Sequence, residues 1–292
     1  MNILLTGATG FLGSHLLARL VKDDHNVIVF VRKTSSLKRI SSFLDQVTIY
    51  TINDNSYHDL FESVDIETII HCATNYGRGK PDPVEILETN LIMPMRLLQL
   101  GYQSSVRYFI NADTILNKAV NDYTLSKNQF REWLKRYAQK MVCVNIAMEH
   151  FYGPLDEPKN FVSSMVKQLL DGVNSIDLTI GEQKRDFIYI DDIISAFFLI
   201  LAHSVSMEYG YYNFEIGTGN AVTIRELVEL IKNISGNTNT QLNFGAIPYR
   251  EHEVMETNAN STSLYALGWK PVTSLFDGLL KMIEIEQKER MV

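Results

Sequence analysis

An α/β fold is predicted for this chain, a doubly wound parallel sheet followed by a smaller mixed α/β lobe, and three observations predict it. At the N-terminus an apolar run, Ile3 to Leu5, enters a turn carrying Gly7, Gly10 and Gly13. The turn then passes into Ser14 to Leu20, where apolar residues recur at helical spacing. Through the first half, β-branched runs alternate with helical patterns, as a parallel sheet covered on both faces requires. Beyond Tyr152-Gly153-Pro154 that rhythm breaks down into short, mixed elements. The sheet is therefore expected to be of Rossmann type, with residues 1–153 forming a dinucleotide-binding domain. Residues 154–292 would form the smaller lobe, some of whose elements return to the first domain.

The elements follow in order. Asn26 to Val31 reads as the second strand, Val47 to Ile52 as the third and Thr68 to Ala73 as the fourth. A helical pattern covers Pro83 to Tyr102, and Arg107 to Ile110 is the fifth strand. A helix over Tyr123 to Ala138 leads to a sixth strand, Val142 to Ala147. In the lobe, Asp177 to Ile180, Asp186 to Ile190 and Tyr211 to Ile216 read as strands. Asp192 to Ala202 is an apolar helix, and Val222 to Ile234 is amphipathic, with Thr223 as its cap.

Composition narrows the function classes. With 292 residues, 46% hydrophobic and 21% charged, the chain has ample material for a core. Its net charge of −7 argues against a broad nucleic-acid footprint, which needs a basic face. Cys72 and Cys143 lie in apolar runs, so reduced, buried thiols are expected, with no disulfide framework and no metal-ligand spacing. No apolar stretch approaches the ~18 residues of a membrane helix and no leader is evident, which makes the cytoplasm the default location.

The glycine turn suits a dinucleotide. Its first glycine permits the tight turn, its second lets backbone approach the pyrophosphate, and its third lets helix and strand pack closely. The diphosphate would lie at the helix N-terminus, which favours anions. Gly7, Thr9, Gly10, Phe11, Leu12 and Gly13 are the candidates for that contact. At the end of the second strand, where an acidic residue takes the ribose hydroxyls of NAD, the chain has Arg32 and Lys33. A guanidinium pairs with a 2′-phosphate, so NADP(H) is favoured over NAD(H). Asp54, after the third strand, is placed to meet the adenine.

Tyr123 and Lys127 stand four residues apart at the start of a helix, on one face and one turn apart. A phenol with its ordinary pKa near ~10 is a poor proton carrier at neutral pH, and a neighbouring ammonium, assisted by the positive nicotinamide ring of the oxidised dinucleotide, is expected to lower that value. The same lysine can hydrogen-bond the cofactor ribose. With these residues the chain resembles the extended short-chain dehydrogenase/reductases, the NAD-dependent epimerase/dehydratase group acting on nucleotide sugars. His71-Cys72-Ala73-Thr74, Glu88-Thr89-Asn90, Glu149 to Pro154, Gly181 to Asp192 and Leu267 to Pro271 extend the resemblance over nearly the whole chain.

The resemblance implies further roles. Ala73 and Thr74 would line the cofactor. A hydroxyl at the end of the fifth strand would hydrogen-bond the reacting sugar oxygen. The register leaves Ala112, Asp113 or Thr114 at that place, and Thr114 is the one with a hydroxyl. Arg185 and Arg250 would clamp the diphosphate of a nucleoside-diphosphate sugar; the competing reading pairs them with Asp186 or Glu251. His150 stands where the group has asparagine, and Tyr76, by position, could reach the sugar. Relatives pair the helices near 84–102 and 123–138, which implies a homodimer.

Three readings of the activity follow. Asp113 is followed by Thr114 rather than glutamate, which leaves the dehydratases' acid–base pair incomplete. The nearest resemblance, carried by Ala73 to Gly77, Asn111 to Thr114, Glu149 to Pro154 and Phe244 to Ile247, is to the 4-ketoreductases forming CDP-abequose and CDP-paratose. It implies NADPH-dependent reduction of a nucleotide 4-keto-deoxysugar for bacterial surface polysaccharide. The alternatives are a 4-epimerase holding NAD and a non-catalytic dinucleotide sensor.

Overall fold

A computed structural model of the chain describes residues 1–53, 56–79, 82–250 and 253–290. It divides into two compact units: Met1–Ala147 with Phe197–Phe214, and Met148–Ala196 with the residues from Glu215 onward.

The first unit opens with β1 (Asn2–Thr6), α1 (Phe11–Lys22) and β2 (Asn26–Val31). A 3-10 segment, Lys38–Gln46, leads to β3 (Thr48–Thr51), α2 (Ser56–Ser63) and β4 (Thr68–His71). The helix expected over Pro83 to Tyr102 is three segments instead: α3 (Pro83–Leu87), a π-helical turn (Glu88–Ile92) and α4 (Met93–Gln103). Then come β5 (Tyr108–Thr114), α5 (Asp122–Tyr137) and β6 (Val142–Met148). β5 runs past the expected Ile110 because its polar end finds buried partners: Asn111 donates to Asn145 at 2.8 Å, and Asp113 binds Arg131.

β7 (His150–Tyr152), α6 (Phe161–Asp171), β8 (Ser175–Leu178) and β9 (Lys184–Tyr189) follow. Next are α7 (Ile190–Ser204), β10 (Gly210–Ile216), β11 (Ala221–Thr223), α8 (Ile224–Ile234), β12 (Gln241–Phe244), α9 (Thr262–Ala266) and α10 (Leu275–Glu289). Thr223 caps α8 by accepting from the Glu226 N–H, and Glu226 reaches back to the Thr223 N–H.

The main sheet has seven strands in the order β10-β6-β5-β4-β1-β2-β3. β1 pairs in parallel with both β2 and β4, so the winding reverses beside it. That reversal opens a crevice at the carboxyl ends of β1 and β4, the place where such sheets bind ligands. Strands buried on both faces need continuous apolar runs, and Val27 to Val31 supplies one. Leu4, Ile28, Ile69 and Phe109 of the sheet pack with Leu97, Leu98, Phe130 and Leu134 of α4 and α5 in one core. In the second unit, β7 and β11 flank β9, while β8 pairs with β12. Among the described residues no helix is long and apolar enough to cross a membrane. Both cysteines are free thiols, Cys143 buried and Cys72 only partly so.

Candidate functional site

At the crevice, Gly7 has φ +73°, and a Cβ there would lie 2.5 Å from the Ala73 nitrogen. A Cβ on Gly13 would lie 2.1 Å from the Gly7 carbonyl oxygen. Both positions therefore exclude side chains, and the backbone of the turn stays bare. Gly10 is the N-cap of α1 and gives its first turn no side-chain acceptor, so the helix end keeps its attraction for anions. Thr9 is partly buried there, and Phe11 and Leu12 are buried in the first turn.

The Thr6 hydroxyl accepts from the Cys72 and Ala73 N–H groups and meets His71 Nδ1 at 2.8 Å. It thus ties the start of the loop after β4 to the end of β1. Thr74, the other cofactor candidate there, donates to the Cys72 carbonyl at 3.4 Å. Arg32 and Lys33 follow β2 directly, are exposed, and form no ion pair among the described residues. Asp54 lies outside the described residues.

α5 carries the Tyr123/Lys127 pair. Its start is fixed by a capping box in which Asn121 accepts from the Thr124 N–H at 2.9 Å. The Thr114 side chain stands close enough to the Tyr123 hydroxyl to favour its ionised form. Thr114 is in turn anchored through its Oγ1, which accepts from the Leu116 N–H at 3.2 Å. Ala112 and Asp113 are the other two register choices. Ala112 has no polar side chain, and the Asp113 carboxylate faces Arg131, whose Nη2 is 2.7 Å away. Arg131 also donates to the Thr114 carbonyl at 3.1 Å, which holds the strand end in place.

Lys127 is fully buried, and its Nζ has no hydrogen-bond partner. Burial pushes its pKa down and Arg131 adds to that, against Asp113 and Cys72. For Tyr123 the protein's own groups shift the pKa upward. Burial above all, then Tyr76 and Asp113, raises it well above the ordinary tyrosine value, while Thr114 opposes. The reason is desolvation, which penalises phenolate and ammonium alike.

Asn90 sits within the π-helical turn and binds three groups at once. Its side chain accepts from the Asn75 N–H, donates to the Asn75 carbonyl, and donates to Ser126 Oγ at 3.0 Å. Ser126 donates to the Tyr123 carbonyl at 2.8 Å. The loop after β4 and the N-terminal end of α5 thus share one anchor. Tyr76, on that loop, is exposed and meets the Tyr123 ring at 5.2 Å between centroids.

In the second unit, Arg185 of β9 is nearly buried and already paired. Its Nη2 lies 2.7 Å from Glu253 Oε1, and its Nη1 donates to the Lys184 carbonyl. Asp186, one partner considered from the sequence, is instead taken by Thr218 and the Gly219 N–H. Glu251, the other, lies outside the described residues. Arg250 is exposed, and its carbonyl accepts from the Glu253 N–H at 3.1 Å. His150 begins β7, and its Nδ1 lies 3.0 Å from Glu149 Oε2.

A model of the NAD dependent epimerase/dehydratase family matches residues 3–217. The chain belongs to this family. A CDP-abequose synthase of Salmonella muenchen is 34% identical, over 98% of this chain and 98% of that one. The UDP-glucose 4-epimerase of Thermotoga maritima, solved with UDP-glucose, superposes with a TM-score of 0.86 at 25% identity, over 99% of this chain and 100% of that one. The UDP-glucose 4-epimerase of Thermus thermophilus, solved with NAD, gives a TM-score of 0.85 at 21% identity, over 98% and 99%.

The residues fit the family's dinucleotide: bare glycine backbone at a helix end, and a buried amine with no partner where ribose hydroxyls could bind it. Sequence reasoning passed over Thr6, Asn75, Ser126, Arg131, Glu149 and Glu253. Arg131 alone left a local signal, standing four residues beyond Lys127 on the same helical face.

Proposed function

We propose that the chain reduces the 4-keto group of a nucleoside-diphosphate 4-keto-deoxysugar with NADPH. The observation that carries this reading is a Tyr123 phenol that burial keeps protonated, set beside the Thr114 side chain. A reductase needs a proton donor at the sugar oxygen, and that is the state in which Tyr123 stands. The likeness to a CDP-abequose synthase supports the reading and puts CDP-sugars first among substrates.

When bound, the dinucleotide supplies the hydride that adds to C4. Gly7, Thr9, Gly10, Phe11, Leu12 and Gly13 hold its diphosphate, Ala73 and Thr74 line it, and Lys127 takes the ribose hydroxyls. Arg32 and Lys33 pair with the 2′-phosphate, which makes NADPH the preferred reductant. Tyr123 donates its phenolic proton to O4 as the carbonyl π bond breaks, so the ketone becomes a hydroxyl. Thr114 steadies the same oxygen. Arg185 and Arg250 contact the sugar nucleotide's diphosphate. Leu87, Leu125 and Trp133, exposed apolar residues of α3 and α5, support a homodimer.

The second reading is an NAD-dependent 4-epimerase, which the likeness to two UDP-glucose 4-epimerases favours. Incubation with NADPH and a panel of nucleotide 4-ketosugars separates the two, read as loss of NADPH absorbance. The reductase oxidises NADPH with at least one ketosugar. Conversion of an intact sugar nucleotide without NADPH oxidation establishes the epimerase, and NADPH binding without any turnover leaves only a sensor.

A further inference from the structure

Thr114 is the last residue of β5. Toward β4 the pairing of that strand stops at Asn111, opposite His71, and residues 115–121 form neither helix nor strand. A hydroxyl that must meet a reacting atom needs firmer support than a strand end supplies, since a shift of about 1 Å can cost about 10²-fold in rate. The support comes from α5. Arg131 stands one turn beyond Lys127 on that helix. Its Nε donates to Asp113 Oδ2 at 2.8 Å, and its Nη2 donates to the Thr114 carbonyl at 3.1 Å. Asp113 closes the ring, because its Oδ1 accepts from the Thr114 N–H at 2.8 Å. The peptide groups on both sides of Thr114 are thus tied to one ion pair.

The pair is matched in shape as well as in charge. The Asp113 side chain is fully buried, where a bare carboxylate is costly, and Arg131 is its counter-ion, with Nη2 2.7 Å from Oδ2. Charge alone would ask only for a cation beside Asp113. The guanidinium does more, because its fork spans the carboxylate and the carbonyl of the next residue. An ammonium, a point charge, has no such second arm. Asp113 and Arg131 also act on Lys127 in opposite senses. The clamp therefore holds a hydroxyl in place without adding net charge beside the buried amine.

We propose that Arg131 is a positioning residue for the Thr114 hydroxyl: by bridging the Asp113 carboxylate and the Thr114 carbonyl, it fixes where that hydroxyl meets the reacting sugar oxygen. This rests on the reductase reading above. It adds that turnover depends on the shape of the residue at position 131 and not only on its charge.

The test compares the full native chain with Arg131→Lys and with the double variant Asp113→Asn/Arg131→Leu. The probes are NADPH and the panel of nucleotide 4-ketosugars, CDP-4-keto-3,6-dideoxyglucose first. Arg131→Lys keeps a counter-ion for Asp113 and should fold, whereas its kcat should fall about 10²-fold with KM nearly unchanged. The double variant removes both charges and keeps an acceptor for the Thr114 N–H. It should regain the melting temperature that Arg131→Leu loses, without regaining kcat. Native kcat in Arg131→Lys, or kcat that recovers with stability in the double variant, overturns the inference. Threonine-methyl NMR supplies a readout that needs no turnover, with Thr114→Ser identifying the signal. The Thr114 methyl should be rigid in the native chain and mobile in Arg131→Lys; an unchanged signal overturns the inference as well. If the native chain oxidises NADPH with none of the ketosugars, the reductase reading falls, and the methyl signal alone decides the role of Arg131.

Discussion

The two units prepare their polar groups in opposite ways. In the first, the groups proposed to react are hydroxyls positioned by backbone, caps and packing: Tyr123 by the Asn121 capping box and Ser126, Thr114 by the end of β5. Its buried amine, Lys127 Nζ, is left without a partner among the described residues. In the second, basic side chains already meet the protein's own carboxylates, Arg185 with Glu253 and His150 with Glu149. The first unit is shaped for a ligand that satisfies it, whereas the second must exchange internal partners for external ones. Mutations should therefore cost turnover in the first unit and affinity in the second.

The largest expected effect is on Tyr123. Tyr123→Phe should lower kcat by about 10²–10⁴-fold while NADPH binding, followed by fluorescence, stays within error. Full turnover would remove Tyr123 from the chemistry. Next comes Arg131, the exception within the first unit, because it is an ion pair that positions rather than binds. Arg131→Leu leaves Asp113 uncompensated and should destabilise by about 3 kcal/mol in urea titration, the low end for buried pairs since Arg131 is 24% exposed. A loss below about 1 kcal/mol, the level of an exposed pair, would mean that Asp113 is neutralised another way.

Smaller effects sharpen the other side. Arg185→Lys loses the fork geometry and should raise KM for the nucleotide sugar about tenfold with kcat nearly unchanged. A fall in kcat alone would move Arg185 from binding to chemistry. Replacing Arg32 and Lys33 together by Ala should cut the NADPH-over-NADH preference by about tenfold, read from the two Kd values. The smallest effect concerns pH. Burial raises Tyr123, so the folded state holds the phenolic proton more tightly than the unfolded chain, whose value is 10.0. Its contribution to stability is full below that pH and is lost as pH climbs through the folded value. The Tm difference between the native chain and Tyr123→Phe should stay flat from pH 7 to about 10 and narrow beyond it. A change already at pH 8 would break this.

What the sequence made legible was local. The glycine turn, the Tyr123/Lys127 spacing and the Thr223 cap are each written within a few neighbouring residues, and each has its stated geometry. What escaped was pairing at long range. Glu253 lies 68 residues from Arg185 and Thr257 lies 108 from Glu149, distances at which periodicity says nothing. Polarity also hid how far β5 runs, because Asn111 and Asp113 interrupt the apolar run that ends at Ile110, and their buried partners lie elsewhere in the chain. The direction of the Tyr123 shift escaped because spacing gives proximity of charge but not depth of burial.

The π-helical turn at Glu88–Ile92 bears on how this sequence can drift. An inserted residue in a helix has no intermediate form: it is there or it is not. Losing one residue between 88 and 92 would restore the regular ladder and turn everything N-terminal to it by about 100°. Ile86 would swing out of the core and Asn90 away from Asn75. Substitutions along this helix are accordingly graded in effect, but its length is locked, and indels accumulating in related chains should skip these five positions.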